Sequence, residues 1–177
     1  MKRLAMCLIS VLWIYGASAQ TAPGKDPWGP LRSLEGHWEG AISGKLGTGT
    51  GVRDYELILD GQYLMFRHDS VREPQEKSPE GDHHRELAVF SFDSERGKIV
   101  LREFMVEGFV NRYLCDLNGM KLACVTEHVE SGPGFRARLE LEIESPYAFT
   151  ERFELAGPGE ELELYFTNRW SRRPKLR

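Results

Sequence analysis

Hydrophobic and polar residues alternate along most of this chain with a period of two, and no stretch repeats apolar positions at the spacing of an amphipathic helix. The clearest case lies late in the chain. Phe135, Ala137, Leu139, Leu141 and Ile143 take one face, while Arg136, Arg138, Glu140, Glu142 and Glu144 take the other. Leu162, Leu164 and Phe166 alternate with Glu161, Glu163 and Tyr165 in the same way. Such one-sided alternation predicts strands with one wet and one dry face. Reading between turn signals gives strands over 37–44, 52–59, 62–71, 85–92, 98–107, 109–116, 121–129, 135–143, 147–155 and 161–170. Asp60-Gly61, Asn118-Gly119, Ser131-Gly132-Pro133-Gly134 and Gly157-Pro158-Gly159 mark turns between neighbours. The glycine-rich segment 44–51 lacks the Gly-Lys-Ser/Thr ending and following helix of a phosphate loop, and is expected to form a flexible turn or kinked strand. Segment 72–82 is polar, carries Pro74 and Pro79, and is expected to be the longest and most mobile loop.

About ten short strands at a spacing of roughly 8–12 residues predict an all-β fold. Tight hairpins throughout favour an antiparallel up-and-down barrel over a Greek-key sandwich, which requires long crossovers. A barrel of this size is wide enough to hold one small ligand.

Cysteine usage leaves one question open. Cys115 and Cys124 flank Asn118-Gly119. A two-residue turn on Asn118-Gly119 sets them diagonally, about 7–8 Å apart at Cα, which is long for a disulfide. A four-residue loop sets them directly opposite, where they can bond. If they do not, they are two small buried hydrophobes.

The N-terminus changes the picture of where the chain works. Lys2 and Arg3 precede an apolar run from Ala5 to Tyr15, of about 11 residues, and Ala17-Ser18-Ala19 supplies small residues before Gln20. This is the pattern of a secretory signal over 1–19, followed by a lead-in over 20–33 and a barrel domain over 34–173. Export to the periplasm is expected, with no integral membrane segment after cleavage, since the run is too short to span a bilayer. Twenty-three lysines and arginines against 27 acids give a formal charge of −4, which becomes −6 without Lys2 and Arg3. Mild, scattered negative charge argues against a nucleic-acid partner.

Leu34-Glu35-Gly36-His37-Trp38-Glu39-Gly40 stands just before the first strand. Its Gly-x-Trp resembles the short signature of calycin barrels, the superfamily of lipocalins and fatty-acid-binding proteins. The Trp closes the barrel bottom and the Gly lets the chain turn in beneath it. Together with a strand opening on His84-Arg85-Glu86, the segment resembles the nitrobindin-like haem-binding barrels. Val106-Glu107-Gly108-Phe109-Val110-Asn111 and Gly134-Phe135-Arg136-Ala137-Arg138 resemble a family of uncharacterised exported bacterial barrels. The resemblance implies structural roles for Gly36 and Trp38, and an Arg from the last strand stacked over Trp38, for which Arg169 is the candidate. It also implies haem, held by a proximal His in the last strands. Here no His follows His128, and ferric haem requires an axial donor.

Polar residues on otherwise apolar faces are the candidate site. Glu103, Asn111, Tyr113, Glu151 and Asn168 share faces with apolar neighbours, and a few polar groups in an apolar cup are what a small-molecule site requires. His84 is a rim donor or base with Glu86 on the same face, or one of a solvated His83-His84 pair. His128 shares a face with Cys124 and Thr126, and His68 with Leu64 and Phe66. No HExxH, Cys-x-x-Cys or EF-hand spacing marks a metal site, and no Gly-x-Ser-x-Gly marks a nucleophile. The leading expectation is an exported binding protein for a small, largely apolar molecule. Haem is one version, ligated by His84 or His128. The alternatives are a barrel isomerase using His84 as base with Glu86, and a structural module with a filled core.

Overall fold

The computed structural model describes residues 26–132 and 134–174. The proposed signal segment lies outside them. Ten strands follow one another: β1 (Gly36–Gly44), β2 (Gly47–Ile58), β3 (Tyr63–Arg72), β4 (Asp82–Asp93), β5 (Lys98–Met105), β6 (Val110–Asn118), β7 (Lys121–Glu130), β8 (Arg136–Ser145), β9 (Ala148–Ala156) and β10 (Glu163–Arg173). Each pairs antiparallel with its neighbours in sequence, and β1 pairs with β10, so the sheet closes into an up-and-down barrel. The predicted architecture is the observed one. The glycine-rich stretch turns only at Lys45-Leu46 and is otherwise strand, from Gly47 onward.

The lower half of the barrel is filled. A turn of 3-10 helix, Gly29–Leu34, plugs the bottom with Trp28, Leu31 and Leu34, all essentially inaccessible to solvent. The described part of the lead-in, from Asp26 onward, thus contributes to the core. Trp28 Nε1 donates to the Gly61 carbonyl at 2.8 Å and Trp38 Nε1 to the Leu34 carbonyl at 2.6 Å, so both indoles are satisfied where they are buried. Trp38 meets Phe149 edge-on at 4.8 Å, and Tyr55, Phe66 and Phe90 continue the aromatic packing upward. Gly36 takes φ +128°, and a Cβ there would lie 2.4 Å from Arg172 Nη1. Gly40 must also be glycine, because a Cβ would lie 2.6 Å from the Trp170 ring.

The cover over Trp38 is Arg172, not Arg169. Register pairs Trp38 with Arg172. The Arg172 guanidinium sits 4.5 Å above the indole and donates to the Pro146, Glu35 and Ser33 carbonyls. Arg169 points to solvent and pairs with Glu144. Arg172 shares the parity of buried Asn168 and Trp170, which is the signal that identifies it.

In the β6–β7 hairpin the turn residues are Gly119-Met120, one position later than the Asn-Gly signal suggests. Asn118 pairs with Lys121, so Cys115 lies directly opposite Cys124 and the two are disulfide-bonded. A bulge follows at Glu127, where Arg112 faces His128 but Tyr113 faces Thr126. It inverts parity and puts His128 outside, exposed. The inward placement expected of His128 is therefore wrong.

Two features shape the open end. Backbone pairing of β7 with β8 stops at Val125–Arg138, and there the Thr126 hydroxyl accepts from the Ala137 N–H at 2.8 Å and donates to its carbonyl at 3.1 Å. The segment between β3 and β4 makes its own contacts with the barrel. The Gln75 amide exchanges two hydrogen bonds with the Thr48 backbone, and Gln75 and Ser78 bridge each other.

Candidate functional site

Above the packed lower half, seven strands each place a polar side chain in one layer. Arg53, His68 and Glu86 are consecutive register partners on β2, β3 and β4. Glu103 on β5 lies opposite Asn111 on β6, and Glu151 on β9 opposite Asn168 on β10. The expected residues Glu86, Glu103, Asn111, Tyr113 and Asn168 are all brought together here. Arg53, which sequence reasoning missed, is their centre. It sits on the same alternate face as Tyr55 and Leu57, and that parity is its signal in the sequence.

Burying a guanidinium is tolerable only when it is paired and bonded. Arg53 is 3 % exposed. Its Nη1 donates to Glu151 at 2.9 Å and to the Tyr55 hydroxyl at 3.2 Å, and its Nη2 lies 3.6 Å from Glu86. Phe66 and Trp170 face the guanidinium at 4.4 and 4.5 Å, adding cation–π attraction in a dry setting. Glu151 also accepts from Asn168 Nδ2 at 3.0 Å and Trp170 Nε1 at 3.1 Å. With Arg53 Nη2 at 3.4 Å, three side chains thus donate four hydrogen bonds to one buried carboxylate.

Glu103 is held differently. Burial and the nearby Glu86 carboxylate push its carboxyl well above the usual range, outweighing its bond from Tyr113 and the field of Arg53. Its neutral form is favoured more than that of a free carboxyl. Burial, then Glu103, raise Tyr113 in turn. His84 stands at the rim, with Nε2 3.5 Å from Glu86 and Nδ1 3.0 Å from Glu107. Burial works against its charge, but the two carboxylates override it and raise its pKa to about 9. His68 behaves oppositely: burial, then the cations Arg53, His84 and Arg72, lower it to about 2. His68 is neutral; His84 is an imidazolium.

Over this floor opens a cavity of about 310 Å³. Its upper walls are apolar, with Leu139, Phe109, Phe135, Phe153, Leu155 and Phe166. Phe109 and Phe135 meet edge-on at 5.5 Å beside the end of β7–β8 pairing. Asn111 Oδ1, Asn168 Oδ1, His68 Nδ1, Arg53 Nε and Arg72 Nε are buried, belong to residues lining this space and have no protein partner. Their own NH2 groups fix both amides, Asn111 on the Tyr113 hydroxyl at 3.1 Å and Asn168 on Glu151. The free oxygens are therefore acceptors. A buried unpartnered polar atom normally has a ligand or water.

The two histidines expected as haem ligands do not fit that role. His128 faces away, and both ring nitrogens of His84 are engaged by carboxylates, so neither offers a lone pair to iron. The same engagement removes His84 as the base of an isomerase. Among the described residues no group of three or more His, Cys, Asp or Glu side chains is placed to hold a metal ion.

No protein-family model and no curated protein matches the chain. Solved structures do. Rv2717c from M. tuberculosis superposes with a TM-score of 0.60 at 13% identity, over 86% of this chain and 99% of that one. EF1p2_mFAP2b bound to DFHBI gives a TM-score of 0.39 at 12% identity, over 81% and 97%. At these identities the first shows a shared barrel fold, and the second adds no argument.

Proposed function

We propose that this protein is an exported carrier that holds a small, largely apolar molecule in the open half of its barrel. One observation carries the reading: an apolar-walled cavity of about 310 Å³ is lined at its floor by buried polar groups, five of whose atoms lack a protein partner. The volume lies at the small end of ligand pockets. The walls supply affinity by burial and the floor sets orientation. The lower half is a filled core; the upper half is not, which separates a carrier from a purely structural module. Export rests on the leader-like N-terminus.

Native mass spectrometry of protein from its own host tests this. A noncovalent small-molecule adduct is expected, and Leu139→Trp, which fills the cavity, is expected to lose it. Absence of any adduct, together with failure of added decanol to bind, would refute the reading. A Soret band in that material would restore haem. Intact Met1 on cytoplasmic protein would refute export.

A further inference from the structure

The identity of the polar end of the ligand follows from a charge count around the cavity, and rests on the carrier reading above. Asp82, Glu86, Glu103, Glu107 and Glu151 line it, against three cations, Arg53, Arg72 and His84. Every cation already has a carboxylate. Arg53 is on Glu151 at 2.9 Å, Arg72 on Asp82 at 2.7 Å and His84 on Glu107 at 3.0 Å, with Glu86 shared between Arg53 and His84 at 3.6 and 3.5 Å. An anionic headgroup would find no unclaimed positive charge. Glu103 is the acid left over. The unpartnered atoms of the lining residues include two amide oxygens, Asn111 Oδ1 and Asn168 Oδ1, on residues 1 and 3 % exposed, which call for donors, beside Arg53 Nε and Arg72 Nε, donors on guanidinium groups that already have a carboxylate.

We propose that the cavity takes an amphipathic amine, its ammonium group on Glu103 and the Asn111 and Asn168 carbonyl oxygens, its apolar tail among Phe109, Phe135, Phe153 and Phe166. An ammonium group offers three donors and a positive charge. It answers both free acceptors and favours the ionised form of Glu103, whose carboxyl burial and Glu86 hold above its usual range. The groups facing Glu103 are Glu86 from β4, Tyr113 from β6, Glu151 from β9 and Arg53 from β2, and Arg53 is already paired with Glu151.

The test compares three probes of one tail length, decylamine, decanol and decanoate, by titration calorimetry at pH 7. Decylamine is expected to bind at least about tenfold more tightly than decanoate. Glu103→Gln is expected to abolish the amine's advantage. Decanoate binding as tightly as the amine, or an amine advantage undiminished in Glu103→Gln, would overturn the proposal while leaving the carrier intact. Failure of all three probes to bind would overturn the carrier reading itself.

Discussion

Arg53 and Glu151 show how a single residue constrains the rest. The pair is buried, and each partner is meaningful only with the other present. Removing one side of such a pair leaves an uncompensated charge, at a cost of about 3–5 kcal/mol. Glu151→Ala is expected to destabilise by that amount in urea unfolding, since it also strips acceptors from Asn168 and Trp170. Adding Arg53→Met to that variant should recover part of the loss, because the stranded cation is gone. A Glu151→Ala variant within about 1 kcal/mol of the unaltered protein would mean the guanidinium is hydrated and the layer is not dry. At this scale the sequence is informative wherever parity holds. Glu103, Asn111, Tyr113 and Asn168 face inward as alternation predicts. Arg53 was equally legible by parity, but an Arg between Gly51 and Tyr55 reads as a surface residue until its carboxylate partners, contributed by β4 and β9, are known.

At the scale of elements, the β6–β7 hairpin separates what local signals determine from what they do not. Asn118-Gly119 correctly marks a turn, yet the turn slides by one residue, and that slip turns a diagonal pair of cysteines into a directly opposed one. The bulge at Glu127 then reverses the face of His128 within the same strand. Neither shift leaves a compositional trace, because both are settled by the fit of β7 against β6 and β8. The disulfide spans nine positions in sequence. Closing so short a loop stabilises by about 2–3 kcal/mol on the chain-entropy account. Cys115→Ser with Cys124→Ser is expected to lower the unfolding free energy by that amount while leaving the strand-type far-ultraviolet circular dichroism unchanged. Loss of the strand signal in the variant would show that the bond is required for folding rather than added to it.

On the scale of the whole molecule, ten strands and their order were readable because each carries its own alternation and each turn its own punctuation, so errors in one register do not disturb the count. The polar layer was not readable as a unit, since its members are far apart in sequence and only closure of β1 on β10 gathers them. That layer nevertheless governs a property of the entire fold, its stability as a function of pH. His84 has its folded pKa raised from 6.5 to about 9, so its contribution is complete below pH 6.5 and is lost as pH rises to about 9. Glu103 has its folded pKa raised above its unfolded value by burial and by Glu86, so it acts in the same direction, favouring unfolding as pH rises through that interval. His68, lowered to about 2, acts on the other side, opposing folding as pH falls below 6.5. From pH 7 to 9 His84 gives the folded state up to about one more proton than the unfolded, and each proton contributes a slope of about 1.4 kcal/mol per pH unit. The unfolding free energy is therefore expected to fall across that window in urea titrations. His84→Gln should flatten the decline, since it removes that proton from the difference. A stability that is level or rising from pH 7 to 9 in the unaltered protein would show that His84 is neutral in the folded state.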